Sequence, residues 1–253
     1  MVLYTHKVNK NVNKTSTKKE GKKAMEKIKK TFKELAISTM FIKLSHGNKK
    51  LKESARVGFL IWNIPAVVTC PFRTALCEKY CYARKAENIY PDALPSRQKN
   101  FDISRSADFV DRMIYTIDAE LSRPKYRNKK VVFRIHESGD FYNKEYAEKW
   151  LSIARHYAGN DQIVFVAYTK SVTYFDGVQL PGNFFLLASV WSDTTPENME
   201  IIRRNNFRIY TAYKDPELEN AIKAGYSLCR CDDCAGCGKC WNNYINNIAC
   251  EIH

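Results

Sequence analysis

Residues 131–157 read VVFRIHESGDFYNKEYAEKWLSIARHY, and this stretch decides the fold class. Its first five residues are nearly all apolar, as in a strand buried on both faces of a parallel sheet. A polar loop follows from residue 136, and apolar residues then recur at helical spacing over residues 144–157. The stretch therefore predicts a buried strand, a polar loop and an amphipathic helix in that order.

The same pattern recurs along the chain. Further strands are predicted at Val57–Asn63, Ile163–Tyr168, Phe184–Val190 and Phe207–Tyr213. Further helices are predicted at Arg97–Leu121, Pro196–Arg204 and Pro216–Ala224. Strands that alternate with helices indicate an α/β protein with a parallel sheet. Five or six such units predict an incomplete, TIM-like (β/α) barrel, with a doubly wound sheet as the alternative.

The composition is that of a folded globular chain. Hydrophobic residues make up 45% of the sequence and charged residues 27%, which excludes a disordered protein. Asn63 and Pro65 interrupt the longest apolar run, which is too short to span a bilayer. The first twenty residues contain no apolar stretch of the kind found in export signals. We therefore expect a protein of the reducing cytoplasm with no membrane partner.

The positive charge is concentrated at the N-terminus. Of the net charge of +14, residues 1–33 contribute +9, from eleven lysines against Glu20 and Glu26. Such an arm is typical of segments that bind nucleic acid through its phosphates, although an AT-rich genome would enrich lysine equally well. We predict a flexible or helical basic arm at 1–33, a partial barrel at 34–225 and a Cys-rich segment at 226–253.

The nine cysteines fall into two groups with none left over. The first comprises Cys70, Cys77 and Cys81, and the second comprises Cys229, Cys231, Cys234, Cys237, Cys240 and Cys250. An odd number of cysteines in a reducing compartment favours metal or iron–sulfur binding over disulfides.

The first group lies in CPFRTALCEKYCYA, residues 70–83, which follows the first predicted strand. Active sites of (β/α) barrels lie on loops of this kind, at the carboxyl ends of the strands. Three thiolates can hold three irons of a [4Fe–4S] cluster and leave the fourth iron open to a substrate. The alternative is a structural zinc site closed by a fourth ligand, such as His46 or a cysteine of the second group.

The second group lies mainly in LCRCDDCAGCGKCW, residues 228–241. Its four central cysteines are separated by uniform two-residue gaps, which resemble ferredoxin-type cluster motifs more than zinc ribbons, whose two pairs are separated by a longer insert. We therefore expect a second [4Fe–4S] cluster here, with zinc as the alternative.

Two other strand-end loops carry candidate site residues. Ser138, Gly139 and Asp140 follow the second predicted strand, where a ligand-binding role competes with capping of the next helix by Asp140 or Asn143. Lys170 follows the third predicted strand and is a candidate for binding an anionic group, unless it is simply solvated.

These motifs resemble a known family when they are taken together. The cysteine motifs, RIHESGDFYNKEYAEKW at 134–150 and YTKS at 168–171 resemble the phage "gene product eighty-eight" family of phages and other mobile elements. The three-cysteine loop, with an aromatic residue before its last cysteine, also resembles the radical S-adenosylmethionine (SAM) superfamily. The gaps here are six and three residues, where that superfamily has three and two.

The second resemblance has direct implications for the site. It implies a [4Fe–4S] cluster on the first cysteine group with SAM on its open iron, and an auxiliary cluster on the second group. It places Ser138, Gly139 and Asp140 near the amino group of SAM and Tyr80 near its adenine. This gives a radical-SAM-like enzyme of a mobile element, acting in the host cytoplasm, with an electron donor and an unknown small-molecule or macromolecular substrate. The alternative is a nucleic-acid-binding protein without catalysis, stabilised by zinc or clusters and bound through its basic arm.

Overall fold

The computed structural model describes Lys23 and residues 40–48, 50–214, 216–230, 232–242 and 246–252. The chain divides into two units after Ile42, and the whole sheet belongs to the second unit. The predicted basic arm at 1–33 lies, apart from Lys23, outside the described residues.

Seven parallel strands form a curled sheet, an open half-barrel, in the described part of the chain. They are β1 (Val57–Trp62), β2 (Lys130–Ile135), β3 (Ile163–Thr169), β4 (Phe184–Val190), β5 (Arg208–Tyr213), β6 (Ser227–Cys229) and β7 (Ile248–Glu251). Their order across the sheet is β1-β2-β3-β4-β5-β7-β6. The prediction of an α/β fold whose parallel sheet curls into an incomplete barrel is confirmed.

The connections between the strands contain two short described 3₁₀ helices, Pro124–Tyr126 and Val172–Phe175, and eight described α-helices. The α-helices are α1 (Ala75–Lys79), α2 (Tyr82–Ile89), α3 (Ala93–Ser104), α4 (Phe109–Leu121), α5 (Lys144–His156), α6 (Pro196–Arg204), α7 (Glu217–Lys223) and α8 (Cys234–Cys237). Asn143 caps α5, because its side chain accepts a hydrogen bond from the Tyr146 amide. Of the two capping residues that the sequence suggested, the structure therefore selects Asn143.

The predicted helix Arg97–Leu121 is two helices, α3 and α4, with a break at residues 105–108. The hydroxyls of Ser104 and Ser106 donate to backbone carbonyls three residues earlier, a contact that competes with continued helix. Lys149 of α5 donates to the carbonyl oxygens of Ser104 and Ser106, both at 3.3 Å. The end of α3 is thus satisfied by a side chain from another helix.

Aromatic side chains join the outer face of the sheet to α4 and α5. Trp150 packs against Phe109 and Phe133 with ring centroids 5.7 and 5.4 Å apart. Trp62 of β1 donates from Nε1 to the hydroxyl of Tyr146 at 2.9 Å. All five side chains are fully buried, and rings of this size contribute strongly to core stability.

The inner face changes in character along the strands. Near the amino ends, Phe59, Val132 and Val164 lie side by side in register and belong to one apolar cluster. Closer to the carboxyl ends, the inner face carries Arg134 on β2, two residues after Val132, and Tyr168 on β3, four residues after Val164. The fold therefore places an apolar floor beneath a polar mouth.

Strands β6 and β7 were not predicted, and both belong to the segment expected to be a Cys-rich extension. β7 lies between β5 and β6, and Cys229 is paired in register with Cys250. The ring of Trp241 meets Phe59 edge-on at 5.7 Å, and Arg208 donates to the carbonyl of Cys240 at 2.9 Å. The C-terminal cysteine segment thus contributes two strands and packs onto the inner face of the half-barrel.

None of the helices among the described residues combines the length and the apolar character that crossing a bilayer requires.

Candidate functional site

A cavity of about 1060 Å³ lies inside the half-barrel and is lined by the loops that follow its strands. Both cysteine groups reach it, since its walls include all eight described cysteines, Cys70, Cys77, Cys81, Cys229, Cys234, Cys237, Cys240 and Cys250. Cys231 lies outside the described residues. The other predicted site residues, Tyr80, Ser138, Gly139, Asp140 and Lys170, also line the cavity. The structure therefore brings every described candidate residue to one place.

Local hydrogen bonds determine where the first cysteine group stands. The side chain of Thr74 caps α1 by accepting from the amide of Cys77 at 3.2 Å. Asp193, in the loop after β4, accepts from the amide of Leu76 at 2.8 Å and so ties α1 to the opposite wall. The sulfur of Cys81 caps α2 by accepting from the Arg84 amide at 3.4 Å.

The three thiols of this group are free. Burial, together with the nearby Asp140 carboxylate and the other two thiols, raises the pKa of Cys70 to about 12. Burial also raises the pKa of Cys77, and the nearby Lys170 opposes this shift. Without a bound cation these two thiols stay protonated at neutral pH, and metal binding would displace their protons.

The thiols of the first group are donors of the kind that iron–sulfur clusters take. They are three free thiols on one loop, one of which already accepts an amide hydrogen bond of the type that tunes cluster sulfurs. Among the described residues, no group of three or more Cys, His, Asp or Glu side chains is arranged to hold a metal ion. His46, considered above as a fourth ligand, pairs instead with Glu120 at 2.9 Å.

Asp140 holds the ends of β2 and β3 together. Its buried carboxylate accepts from the Phe141 amide at 2.8 Å, the Thr169 hydroxyl at 2.6 Å and the Lys170 amide at 2.9 Å. Burial raises the pKa of Asp140, and these three hydrogen bonds oppose the shift. In the described structure, the Asp140 carboxylate therefore binds protein groups at the mouth of the cavity.

Gly139 brings the loops after β1 and β2 into contact. Its φ is +82°, and a Cβ atom at this position would lie 2.3 Å from Ile64 Cγ1 and 2.7 Å from Thr69 Oγ1. Thr69 directly precedes Cys70, so the glycine lets the second-strand loop approach the first cysteine. Ser138 is buried beside it and donates from its amide to Asn63 Oδ1 at 3.0 Å.

Lys170 and Tyr80 lie on another part of the cavity wall. Lys170 is buried and donates from Nζ to the carbonyl and hydroxyl oxygens of Ser189 at 2.9 and 2.8 Å. Burial lowers its pKa, while nearby thiols and carboxylates oppose the shift. The ring of Tyr80 lies parallel to that of Trp191, with centroids 5.9 Å apart and an interplanar angle of 4°. Lys170 is therefore not simply solvated, and Tyr80 forms part of an aromatic wall.

The second cysteine group surrounds the opposite part of the cavity. Cys229 and Cys250 are neighbours on β6 and β7, and Cys234 and Cys237 begin and end α8. Cys240 packs against the inner apolar cluster, where burial raises its pKa to about 11 and a hydrogen bond from the Tyr168 hydroxyl opposes the shift.

Two cavity residues, Arg134 and Tyr168, were absent from the predicted site. The guanidinium of Arg134 lies 4.0 Å from the centroid of the Tyr168 ring, and its Nε donates to the carbonyl of His136 at 3.2 Å. Each is a polar residue near the carboxyl end of an otherwise apolar run. This pattern is the sequence signal that could have identified them as cavity residues.

His136 also lines the cavity, but its ring is held by the outer aromatic core. Its Nε2 lies 2.9 Å from the Tyr146 hydroxyl, and its Nδ1 is buried without a partner in the described structure. Burial and, secondarily, the charge of Arg134 lower the pKa of His136 to about 3.

Comparisons with known proteins agree with these motifs. The chain is 28% identical over 198 residues to the Gene 88 protein of Mycobacterium phage D29, an alignment that covers 69% of this chain and 78% of that protein. It is also 28% identical over 196 residues to the Gene 88 protein of Mycobacterium phage L5, covering 70% and 80% respectively. No solved structure matches the chain. The family model described as Gene product 88 matches residues 42–243, which is most of the sequence, and the chain therefore belongs to the Gene product 88 family.

Proposed function

We propose that this protein is an iron–sulfur protein in which Cys70, Cys77 and Cys81 hold a [4Fe–4S] cluster with one open iron. The observation that carries the proposal is that eight cysteines, from two groups far apart in sequence, line one cavity of the half-barrel. Ordinary buried cysteines act as small apolar core residues. A random distribution of such residues would not bring all eight to a single cavity.

The cavity suits a radical-SAM-like role for this cluster. When bound, such a cluster supplies an electron to SAM on its open iron and starts radical chemistry on a substrate. In this role the Tyr80–Trp191 pair offers an aromatic surface for the adenine, since π faces stack favourably. Asp140 and Gly139 keep the neighbouring loop close to Cys70. These residues position the ligand and restrict the entry of water.

The second group, including Cys231, is proposed to hold a second [4Fe–4S] cluster. Support comes from the position of Cys234, Cys237 and Cys240 along the inner wall and from the Tyr168 hydroxyl hydrogen bond to Cys240. Hydrogen bonds to cluster sulfurs are one determinant of the reduction potential. A cluster here is in a position to relay electrons or to bind substrate.

The first experiment is anaerobic purification of the full chain with analysis of iron, acid-labile sulfide and zinc. We expect iron and sulfide in comparable amounts, visible absorption that bleaches in air, and a change in the electron paramagnetic resonance (EPR) spectrum of the reduced protein on addition of SAM. Zinc without iron or sulfide would overturn the cluster proposal. Clusters whose EPR spectrum does not change when SAM is added would overturn the radical-SAM-like role but not the cluster proposal.

Paired variants assign the two sites. We expect Cys77→Ala to lose the SAM-sensitive EPR signal and part of the iron, because it removes one of three ligands from the first loop. The matched variant Cys237→Ala should keep that signal and lose the other. Unchanged iron content in Cys77→Ala would remove Cys77 from the ligand set.

A further inference from the structure

A cation lies on the wall of the cavity that the two cysteine groups share. Arg134 comes from β2, in register with Ile61 of β1 and Val166 of β3, so its neighbours along the inner face are apolar. Its guanidinium stacks on the ring of Tyr168, whose hydroxyl in turn donates to Cys240. The charge therefore sits within the half-barrel and not at its rim.

No described acidic side chain forms a direct ion pair with this charge. None of the ion pairs formed among them, at N–O distances up to 4.0 Å, involves Arg134. Glu137, on the same cavity wall, acts on Arg134 only at longer range, and its carboxylate accepts a hydrogen bond from the side-chain amide of Asn48. Within the described residues, Arg134 makes one hydrogen bond, from its Nε to the carbonyl oxygen of His136.

Arg134 remains charged in this position, because an arginine guanidinium does not lose its proton in proteins. Stacking on Tyr168 offsets part of the cost of removing the charge from water. The two terminal nitrogens carry four further N–H donors, which form a planar fork that matches a carboxylate or a phosphate. The geometry thus provides a receptor for an oxyanion.

We propose that Arg134 binds the carboxylate or phosphate group of a small-molecule ligand in this cavity. Tyr168 and Tyr210 supply an aromatic wall beside it, and Lys170 supplies a second cation on the same cavity surface. The volume of about 1060 Å³ accommodates a ligand of metabolite or nucleotide size. The proposal does not depend on bound clusters, so it can fail independently of the proposed function.

The competing explanation is that Arg134 balances the negative charge of cysteine thiolates. The experiment therefore titrates the full-length protein, purified anaerobically, with sodium phosphate, sodium acetate or sodium chloride at matched ionic strength and follows the Tm. Iron and sulfide are measured on the same samples. We expect a saturable rise in Tm with phosphate or acetate beyond that with chloride, and the effective salt identifies the anion class.

Variants locate the site. Arg134→Met should raise the dissociation constant at least tenfold, and Arg134→Lys should raise it less because it keeps the charge without the fork. Arg56→Met, at an exposed position away from the cavity, should leave the constant unchanged. If Arg134→Met does not fold, phenylglyoxal labelling of the wild type decides, because the bound anion should protect Arg134 from modification.

Three outcomes overturn the proposal. One is a wild type with no saturable response to either oxyanion, and another is an Arg134 that is labelled equally with and without the anion. The third is an Arg134→Met protein that binds the anion as the wild type does while it loses iron, which would assign the guanidinium to thiolate charge balance.

Discussion

Gly139 shows how a single residue controls the mouth of the cavity. Replacing it with alanine forces a Cβ into Ile64 and Thr69 at a φ of +82°. Because both the clash and the backbone conformation are unfavourable, we expect Gly139→Ala to lower the free energy of unfolding by about 1–3 kcal/mol. Denaturant unfolding measures the change. Gly159→Ala is the control, since its added Cβ meets nothing within 4 Å; equal stabilities of the two variants would contradict the contact.

His136 makes stability depend on pH in a defined direction. Its folded pKa of about 3 lies below its ordinary value of 6.5, so the unfolded chain takes up the proton first as the pH falls. The contribution of the neutral imidazole is complete above pH 6.5 and is lost towards pH 3, by at most about 1.4 kcal/mol per pH unit. Protonation is unfavourable because the ring is buried and, secondarily, because Arg134 is positively charged.

The variant His136→Asn isolates this effect, since asparagine tolerates the positive φ of the position. We expect its free energy of unfolding to fall less steeply between pH 6.5 and pH 4 than that of the wild type, as measured by urea titration at each pH. His156→Asn, at an exposed site, should retain the wild-type slope. A variant curve parallel to the wild type would show that His136 does not carry the dependence.

Among the elements, α1 depends on one carboxylate from the other side of the mouth. Asp193→Ala removes the acceptor for the Leu76 amide, and a hydrogen bond to a charged group is worth about 1.5–3 kcal/mol. We expect hydrogen exchange in α1 to accelerate at least tenfold, as measured by mass spectrometry of its peptide. Asp193→Asn keeps an acceptor oxygen and should show a smaller effect. Exchange in α5 serves as the internal control; an unchanged α1 would mean that Asp193 does not hold it.

The central strands are the elements that sequence reasoning predicted best. The five predicted apolar runs coincide with β1 to β5 to within about one residue at each end. Burial on both faces requires an unbroken apolar stretch, and the polar loops that follow make its end visible. The match extends to α5, whose apolar periodicity is strong.

Other elements depend on partners that are distant in sequence. The break between α3 and α4 is stabilised by Lys149, which no local pattern reveals. β6 and β7 contain only three and four residues, too few for periodicity to show. They exist because each finds a neighbouring strand in the sheet.

At the scale of the whole molecule, the sequence divides the cysteines into two local groups. It did not predict that both groups would line one cavity, because that depends on the curl of the sheet and on how the C-terminal segment folds back onto it. The sequence also did not predict that Arg134 lines this cavity. A charge within an apolar strand is consistent with an edge position or with an interior site, and only the three-dimensional register distinguishes them.

The predicted nucleic-acid partner remains a prediction, since residues 1–21 lie outside the described structure. We expect deletion of these residues to weaken DNA or RNA retention, because it removes five lysines. The slope of log affinity against log salt should become shallower by about 0.9 for each lost phosphate contact. Filter binding across a salt series measures this, with iron content as the control. Equal retention by both forms would remove the arm from any nucleic-acid contact.

The position of β7 between β5 and β6 has a consequence for how the chain is made. β6 leaves the ribosome before β7, yet among the described strands it is paired with β7 alone. β6 must therefore wait for residues 248–251 before it acquires a neighbour. Nascent chains that stall before Ile248 would leave the edge of β5 without a partner strand, so this side of the sheet forms only after β7 has been made.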